Sequence, residues 1–318
     1  MHQFMRMRLL MLLLLLPLGS AFAQGPDTAR VGAYIISVHD INFHDKEYTV
    51  RFWMWFLYTS PEFDFTKQLD IVNAKTIEPP EAIVDTIDGK AWVMLKMKCV
   101  MKENWKVHDF PFDKQHLKVE IENSILDNTI LIFEPDVAGS KFDDEEAIDG
   151  WAIKNFRVFT QENSYSTGFG DFRAGRDHQT FSQFVFEMDI ERDAWGMFMK
   201  IFLGMYIAFL ISIISFTPHP SEMEPRFGLP VGGLFAAVGN KYIIDSLLPE
   251  SSSFTLVDTL HALTFIAIFA TLLVSAIALK QYDNGRKDLA EATNRTGAKV
   301  VVVVYVVLNI LFITLALI

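Results

Sequence analysis

A stripe of small, aromatic and polar residues interrupts the apolar stretch 227–248. Six of them recur at spacings of 4, 3, 4, 3 and 4, which places them on one face of a helix: Gly228, Gly232, Phe235, Gly239, Tyr242 and Ser246. Polar groups inside a membrane are costly and usually face a bundle interior or water. The stripe therefore indicates either a pore lining, with Phe235 and Tyr242 as constrictions, or close helix packing, which also favours glycine.

Four ionisable residues lie near one end of the same stretch. Lys241 and Asp245 are one helical turn apart and could pair, while Asp258 and His261 follow at the same predicted membrane boundary. We expect these four side chains to form one polar collar, with a structural or a functional role.

No spacing of nucleophiles, bases or phosphate-binding glycines predicts an enzyme. The histidines lie far apart and without a metal-ligand pattern: His39, His44, His108, His116, His178, His219 and His261. We predict no catalytic residue, no metal site and no cofactor.

The elements that position these residues begin after residues 1–23, which have the pattern of a cleavable signal peptide. Arg6 and Arg8 precede the leucine run 9–16, and small residues at 21–23 offer a cleavage point. The chain has 39 Asp and Glu against 28 Lys and Arg, a net charge of −11. Most of the acidic excess precedes residue 195, which argues against nucleic acid as a partner.

Residues 24–194 predict an extracytoplasmic, all-β domain. Seven segments rich in β-branched and aromatic residues alternate with turn signals: 34–38, 48–58, 91–100, 116–121, 129–133, 151–159 and 181–190. Short strands at this spacing are typical of an immunoglobulin-like β-sandwich. The single cysteine, Cys99, excludes an intrachain disulfide, so a hydrophobic core must hold the domain together.

Residues 195–318 predict an all-α transmembrane domain. Four apolar stretches are long enough to cross a bilayer as helices: 197–216, 227–248, 256–279 and 300–318. With the N-terminal domain in the periplasm or outside the cell, the connection 280–299 lies inside and is rich in Lys and Arg, as the positive-inside rule requires. We therefore expect a multi-pass protein of the cell (inner) membrane.

Residues 109–115, Asp-Phe-Pro-Phe-Asp-Lys-Gln, resemble the Phe-Pro-Phe-Asp-x-Gln signature of pentameric ligand-gated ion channels, the Cys-loop receptor superfamily. Glu103 and Leu117 stand where animal members have two bracketing cysteines, and bacterial members also lack that disulfide. Several further matches follow in the family's order: Asp149-Gly150-Trp151, Arg192, Arg226, Leu248-Pro249 and residues 255–258.

The resemblance implies a homopentamer whose second helices surround a central pore. It also implies that Asp113 pairs with Arg192, while Phe110, Pro111 and Phe112 press on the turn that begins at Pro249 and couple the two domains. Each stripe residue would then form a ring, and the rings at Glu222 and Glu224 would select monovalent cations. Arg226 is the counterargument, because one arginine at this place faintly resembles anion-selective relatives.

The family binds its agonists between subunits, beneath a hairpin that corresponds here to residues 161–180. The resemblance therefore implies a small extracellular ligand among these aromatic residues: Phe56, Tyr58, Phe133, Tyr165, Phe169 and Phe172. Aromatic faces suit an amine through cation–π attraction.

Two functions remain open at this point. The first is a ligand-gated, cation-selective channel. The second is a non-conducting, membrane-anchored sensor or binding protein of the same fold.

Overall fold

The computed structural model of the chain describes residues 25–143, 148, 150–170, 178–249 and 254–317. The predicted signal peptide 1–23 and the candidate ligand residue Phe172 lie outside these residues.

The N-terminal part is β-rich and consists of two sheets. Its strands are β1 Asp27–Asn42, β2 Glu47–Tyr58, β3 Leu69–Ile71, β4 Ala74–Ile77, β5 Glu81–Ile87, β6 Lys90–Lys102, β7 Lys114–Asn123, β8 Leu131–Pro135, β9 Lys141–Phe142, β10 Trp151–Tyr165 and β11 Gln179–Arg192. The first sheet has the order β4-β6-β2-β1-β8, with β5 also paired to β6 and β9 to β1. The second sheet has the order β10-β11-β7-β3.

Alternation along the strands builds the core between the two sheets. In β2, side chains from Val50 to Phe56 alternate between buried and partly exposed, and Phe52 meets Phe186 of β11 with ring centroids 5.1 Å apart. All seven predicted strands are present, and a two-sheet arrangement is confirmed. The four strands that were not predicted are short or, like β5, exposed along their whole length, so burial leaves no alternating pattern in them.

Four apolar helices follow: α1 Ala194–Ile214, α2 Met223–Asp245, α3 Leu256–Asp283 and α4 Lys287–Ala316. Each is long and apolar enough to cross a membrane, which confirms the four predicted spans. The predicted connection 280–299 is corrected, because α4 begins at Lys287 and the link from α3 is short. The length of an apolar stretch indicates only the part of a helix that lies in lipid. The polar first turns of α4 were therefore taken for a loop.

The second sheet runs into the helices with almost no linker. β11 ends at Arg192, α1 begins at Ala194, and Asp193 between them caps α1 by accepting a hydrogen bond from the Gly196 backbone N–H. Asparagine or aspartate at this position satisfies a backbone donor that the helix leaves free. A single residue, Asp193, therefore connects the strand to the helix.

Candidate functional site

The stripe on α2 is exposed along its whole length in the single chain. Phe235 and Tyr242 are 73% and 78% exposed, and a Cβ atom added to Gly228, Gly232 or Gly239 would meet nothing within 4 Å. The stripe glycines are therefore not packed against another helix of the same chain.

A different glycine provides the close packing. A Cβ atom on Gly233 would lie 2.2 Å from Ser212 Oγ and 2.6 Å from the carbonyl oxygen of Ala208, both on α1. The face that contains Gly233 also buries Pro230, Ala237 and Ile244. Close helix packing therefore explains Gly233, whereas the stripe glycines lie on a different face of α2 that is open.

At the N-terminal end of α2, the acidic side chains face outward and the basic side chain faces inward. Glu222 and Glu224 are exposed, whereas Arg226 is only 1% exposed. The Arg226 guanidinium donates hydrogen bonds to the Pro218 carbonyl oxygen at 3.0 Å and to Asn294 Oδ1 of α4 at 2.6 Å. Its charge therefore points into the helix bundle and away from the stripe.

The predicted polar collar is only partly one cluster. Lys241 Nζ lies 2.5 Å from Asp245 Oδ1 and 2.7 Å from Asp258 Oδ1. Asp258 also closes a capping box with Thr255 at the start of α3.

His261 belongs to a separate, buried network. Its Nε2 lies 3.1 Å from Asn240 Oδ1, and the Asn240 amide donates to the Ile201 carbonyl oxygen at 3.2 Å. This network links α1, α2 and α3 in the interior of the bundle.

Asp113 and Arg192 meet where the sheets join the helices. Arg192 Nη2 lies 2.9 Å from Asp113 Oδ2, and both side chains are buried. Gln115 donates a second hydrogen bond to the same carboxylate at 2.5 Å. Burial raises the pKa of Asp113 and lowers that of Arg192, while the charge of each partner opposes these shifts.

Three aromatic rings enclose the Arg192 guanidinium. Its central carbon lies 4.1 Å from the ring centroid of Trp151, 4.8 Å from that of Phe43 and 4.9 Å from that of Phe110. Such distances allow cation–π attraction, which strengthens in a desolvated site. Phe43 was missed from the sequence, because its contact with Arg192 depends on pairing between distant segments.

The signature loop, residues 109–115, contacts the first membrane helix. The Phe112 ring packs on Trp195 and Phe198 of α1, with centroids 5.2 and 5.5 Å away. Residues 250–253 of the turn after α2 lie outside the described residues. Two histidines of the β domain, His108 and His44, contact residues close to Pro249. The Leu256 backbone N–H donates to the His108 carbonyl oxygen at 2.8 Å, and His44 Nδ1 lies 3.4 Å from the Leu248 carbonyl oxygen.

Three of the expected ligand-binding residues belong to the core of the β domain. Phe56 and Phe133 are fully buried, Tyr58 nearly so, and they cluster around Phe65, which stacks on Phe56 at 4.1 Å. They are therefore corrected to core residues. An aromatic residue at an inward position of a strand gives no sign in sequence of whether it fills a core or lines a site.

Tyr165 and Phe169 do lie together at the end of the β10–β11 hairpin. Their centroids are 5.2 Å apart, and Phe169 is 62% exposed. Tyr165 Oη donates to Glu122 Oε2 at 3.0 Å, and burial and the Glu122 charge raise the Tyr165 pKa to about 12. The buried Glu122 also accepts from Asn163 at 2.6 Å and from Gln183 at 2.7 Å.

Comparison with known proteins does not place the chain in a family. No family model matches it, and a search of curated proteins finds no significant match. Among the residues that the structure describes, no group of three or more His, Cys, Asp or Glu side chains could hold a metal ion.

Proposed function

We propose that this chain is the subunit of a homopentameric, ligand-gated and cation-selective ion channel. The observation that carries the proposal is the open stripe on α2, the least apolar of the four membrane helices. A helix whose packed face already contacts α1 must place its other face against lipid, water or another copy of the chain. Glycines and a serine are poor lipid-facing residues, so a shared central axis lined by this face is the arrangement that suits them.

Two further observations support the same proposal. The Asp113–Arg192 pair holds the signature loop to the strand that becomes α1, as coupling between a sensing domain and a pore requires. Glu222 and Glu224 are exposed at the end of α2, while Arg226 turns away, so a ring of copies would present carboxylates to passing ions.

A second candidate function is a non-conducting sensor of the same fold. The bulk of Phe235 and Tyr242 favours it, because two aromatic rings on every copy could close the axis permanently. The two functions make different predictions for ionic current and the same prediction for ligand binding.

Reconstitution into a planar bilayer tests the proposal directly. We expect native mass spectrometry to give a pentamer, and a screen of small amines to reveal ligand-dependent current with cation selectivity. A pentamer that binds a ligand without current under any condition would favour the sensor. A stable monomer with all four helices folded would contradict both.

The ligand site is proposed around Tyr165 and Phe169. An amine would contact the exposed face of the Phe169 ring, beside Tyr165, through cation–π attraction. Phe169→Ala should weaken the response to an amine found in the screen by about tenfold, whereas Phe56→Leu, a core change, should leave the ligand midpoint in place. An unchanged midpoint in Phe169→Ala would move the site elsewhere.

A further inference from the structure

A cavity of about 580 Å³ opens at the junction of the two parts of the chain. It is bounded by the loop before β7, the end of β11, the start of α1 and the end of α4. Because α1 begins and α4 ends here, and both are long enough to cross a membrane, the cavity lies at one membrane surface. Trp195 borders it, is 54% exposed and occupies the depth where tryptophan is enriched in membrane proteins.

The walls of the cavity have charges of both signs. Four basic residues and four carboxylates line it: Lys106, His108, Lys114 and Arg192, and Asp109, Asp113, Glu191 and Asp193. Three of the basic residues already have a carboxylate partner: Arg192 has Asp113, Lys114 has Glu191 at 3.2 Å, and the His108 ring has Asp109 at 2.6 Å. Lys106 forms no ion pair within the described part of the chain, and Asp193 is exposed.

The buried pair bordering the cavity also has unused hydrogen-bonding capacity. Among the described residues, Asp113 Oδ1 and Arg192 Nε have no hydrogen-bond partner. Buried polar atoms without partners are uncommon and point to a missing water or ligand group.

The floor of the cavity is apolar and continues along the helices. Ala316 and Leu317, at the end of α4, line it. Exposed apolar residues continue down α1 at one-turn intervals, namely Met199, Leu203 and Ile207. α4 runs beside them, since Tyr206 donates to Asn309 Oδ1 at 3.1 Å and Phe209 stacks on Tyr305 at 3.8 Å.

We propose that this cavity binds the headgroup of phosphatidylethanolamine, with an acyl chain lying along α1 and α4. The phosphate would pair with Lys106, and the primary ammonium would donate hydrogen bonds to carboxylates such as Asp193. A choline headgroup has no N–H to donate. An anionic glycerol headgroup has no ammonium to offer to the exposed Asp193 carboxylate. The mixed charge of the walls therefore selects a zwitterion with a primary amine.

The test measures lipid binding without ionic current, so its result is independent of the proposed channel function. The full chain in detergent is titrated with phosphatidylethanolamine, phosphatidylcholine and phosphatidylglycerol with identical acyl chains. Tm and the number of bound lipids by native mass spectrometry are recorded. We expect phosphatidylethanolamine to raise Tm at the lowest concentration.

Lys106→Gln should raise the midpoint for phosphatidylethanolamine about tenfold, because one charge-assisted hydrogen bond is lost. Lys90→Gln is the matched control, since Lys90 is exposed at the β5–β6 turn and does not border the cavity; its midpoint should equal that of the unmodified chain. Lys106 is also exposed, so Tm without lipid should be the same in both variants. Equal effects of the three lipids, a preference for phosphatidylglycerol, or an unchanged midpoint in Lys106→Gln would each overturn the proposal.

Discussion

Arg192 Nη2 lies 2.9 Å from Asp113 Oδ2, although 79 positions of sequence separate the two residues. Asp113 belongs to the loop before β7, and Arg192 ends the strand that leads directly into α1. The pair is buried under three aromatic rings, so it is shielded from water and salt.

Asp113→Asn should strongly destabilise the protein, because it leaves the Arg192 charge buried without a partner. Breaking a buried ion pair from one side costs about 3–5 kcal/mol. Thermal unfolding in detergent measures the loss. Asp109→Asn is the control on the same loop, since the Asp109 carboxylate pairs with the exposed ring of His108; it should cost less than about 1 kcal/mol. Equal losses in the two variants would contradict a special role for the buried pair.

Gly233→Ala should lower Tm, because the new methyl group would collide with the Ala208 backbone. Overpacking of this kind costs about 1–3 kcal/mol. Gly232→Ala, one residue away, meets open space and should keep or raise Tm, since alanine favours a helix by up to about 1 kcal/mol. If both variants unfold at the same temperature, α1 and α2 do not pack as described.

Phe235→Ser should increase ligand-independent leak several-fold if Phe235 forms a hydrophobic ring, because a polar ring admits water. Single-channel recording or ion flux from vesicles measures the leak. Leu210→Ser, on the exposed face of α1, is the matched control and should leave the leak unchanged. Leak that rises equally in both variants would indicate general disruption of the bundle.

Replacement of both Glu222 and Glu224 by Gln should reduce the cation selectivity of the proposed channel, because these two side chains near the end of its pore lose their charge. In a salt gradient, the reversal potential should move towards that of a non-selective pore. Glu291→Gln, an exposed residue near the start of α4, should leave the reversal potential in place. Chloride preference in the unmodified protein would contradict the assignment.

The sequence predicted the strands and helices better than the contacts between them. Alternation and apolar length suffice for β2 or α1, because each is shaped by its own residues. The exposed strand β5 lacks alternation, since neither of its faces is buried. The start of α4 was missed because helical structure continues beyond the apolar part that defines a membrane span.

For the site residues, too, the sequence does not predict which neighbour each side chain contacts. Gly232 and Gly233 are adjacent in sequence, yet one is open and the other is in contact with α1. Phe56 and Phe169 are both aromatic residues of the β domain, yet one is core and the other exposed. These differences depend on which surface faces each residue, and that surface comes from distant parts of the chain.

The buried Arg226 has a mechanical consequence for α2. Its hydrogen bonds to Pro218 and Asn294 fix one end of the helix to the rest of the bundle, so that end is a pivot. Asp245 lies about 28 Å further along the helix at 1.5 Å per residue. A tilt of about 5° around the pivot would move that far end by about 2.5 Å. In the proposed channel, a displacement of the C-terminal end of α2 would therefore change the pore radius beside Tyr242 far more than beside Gly228.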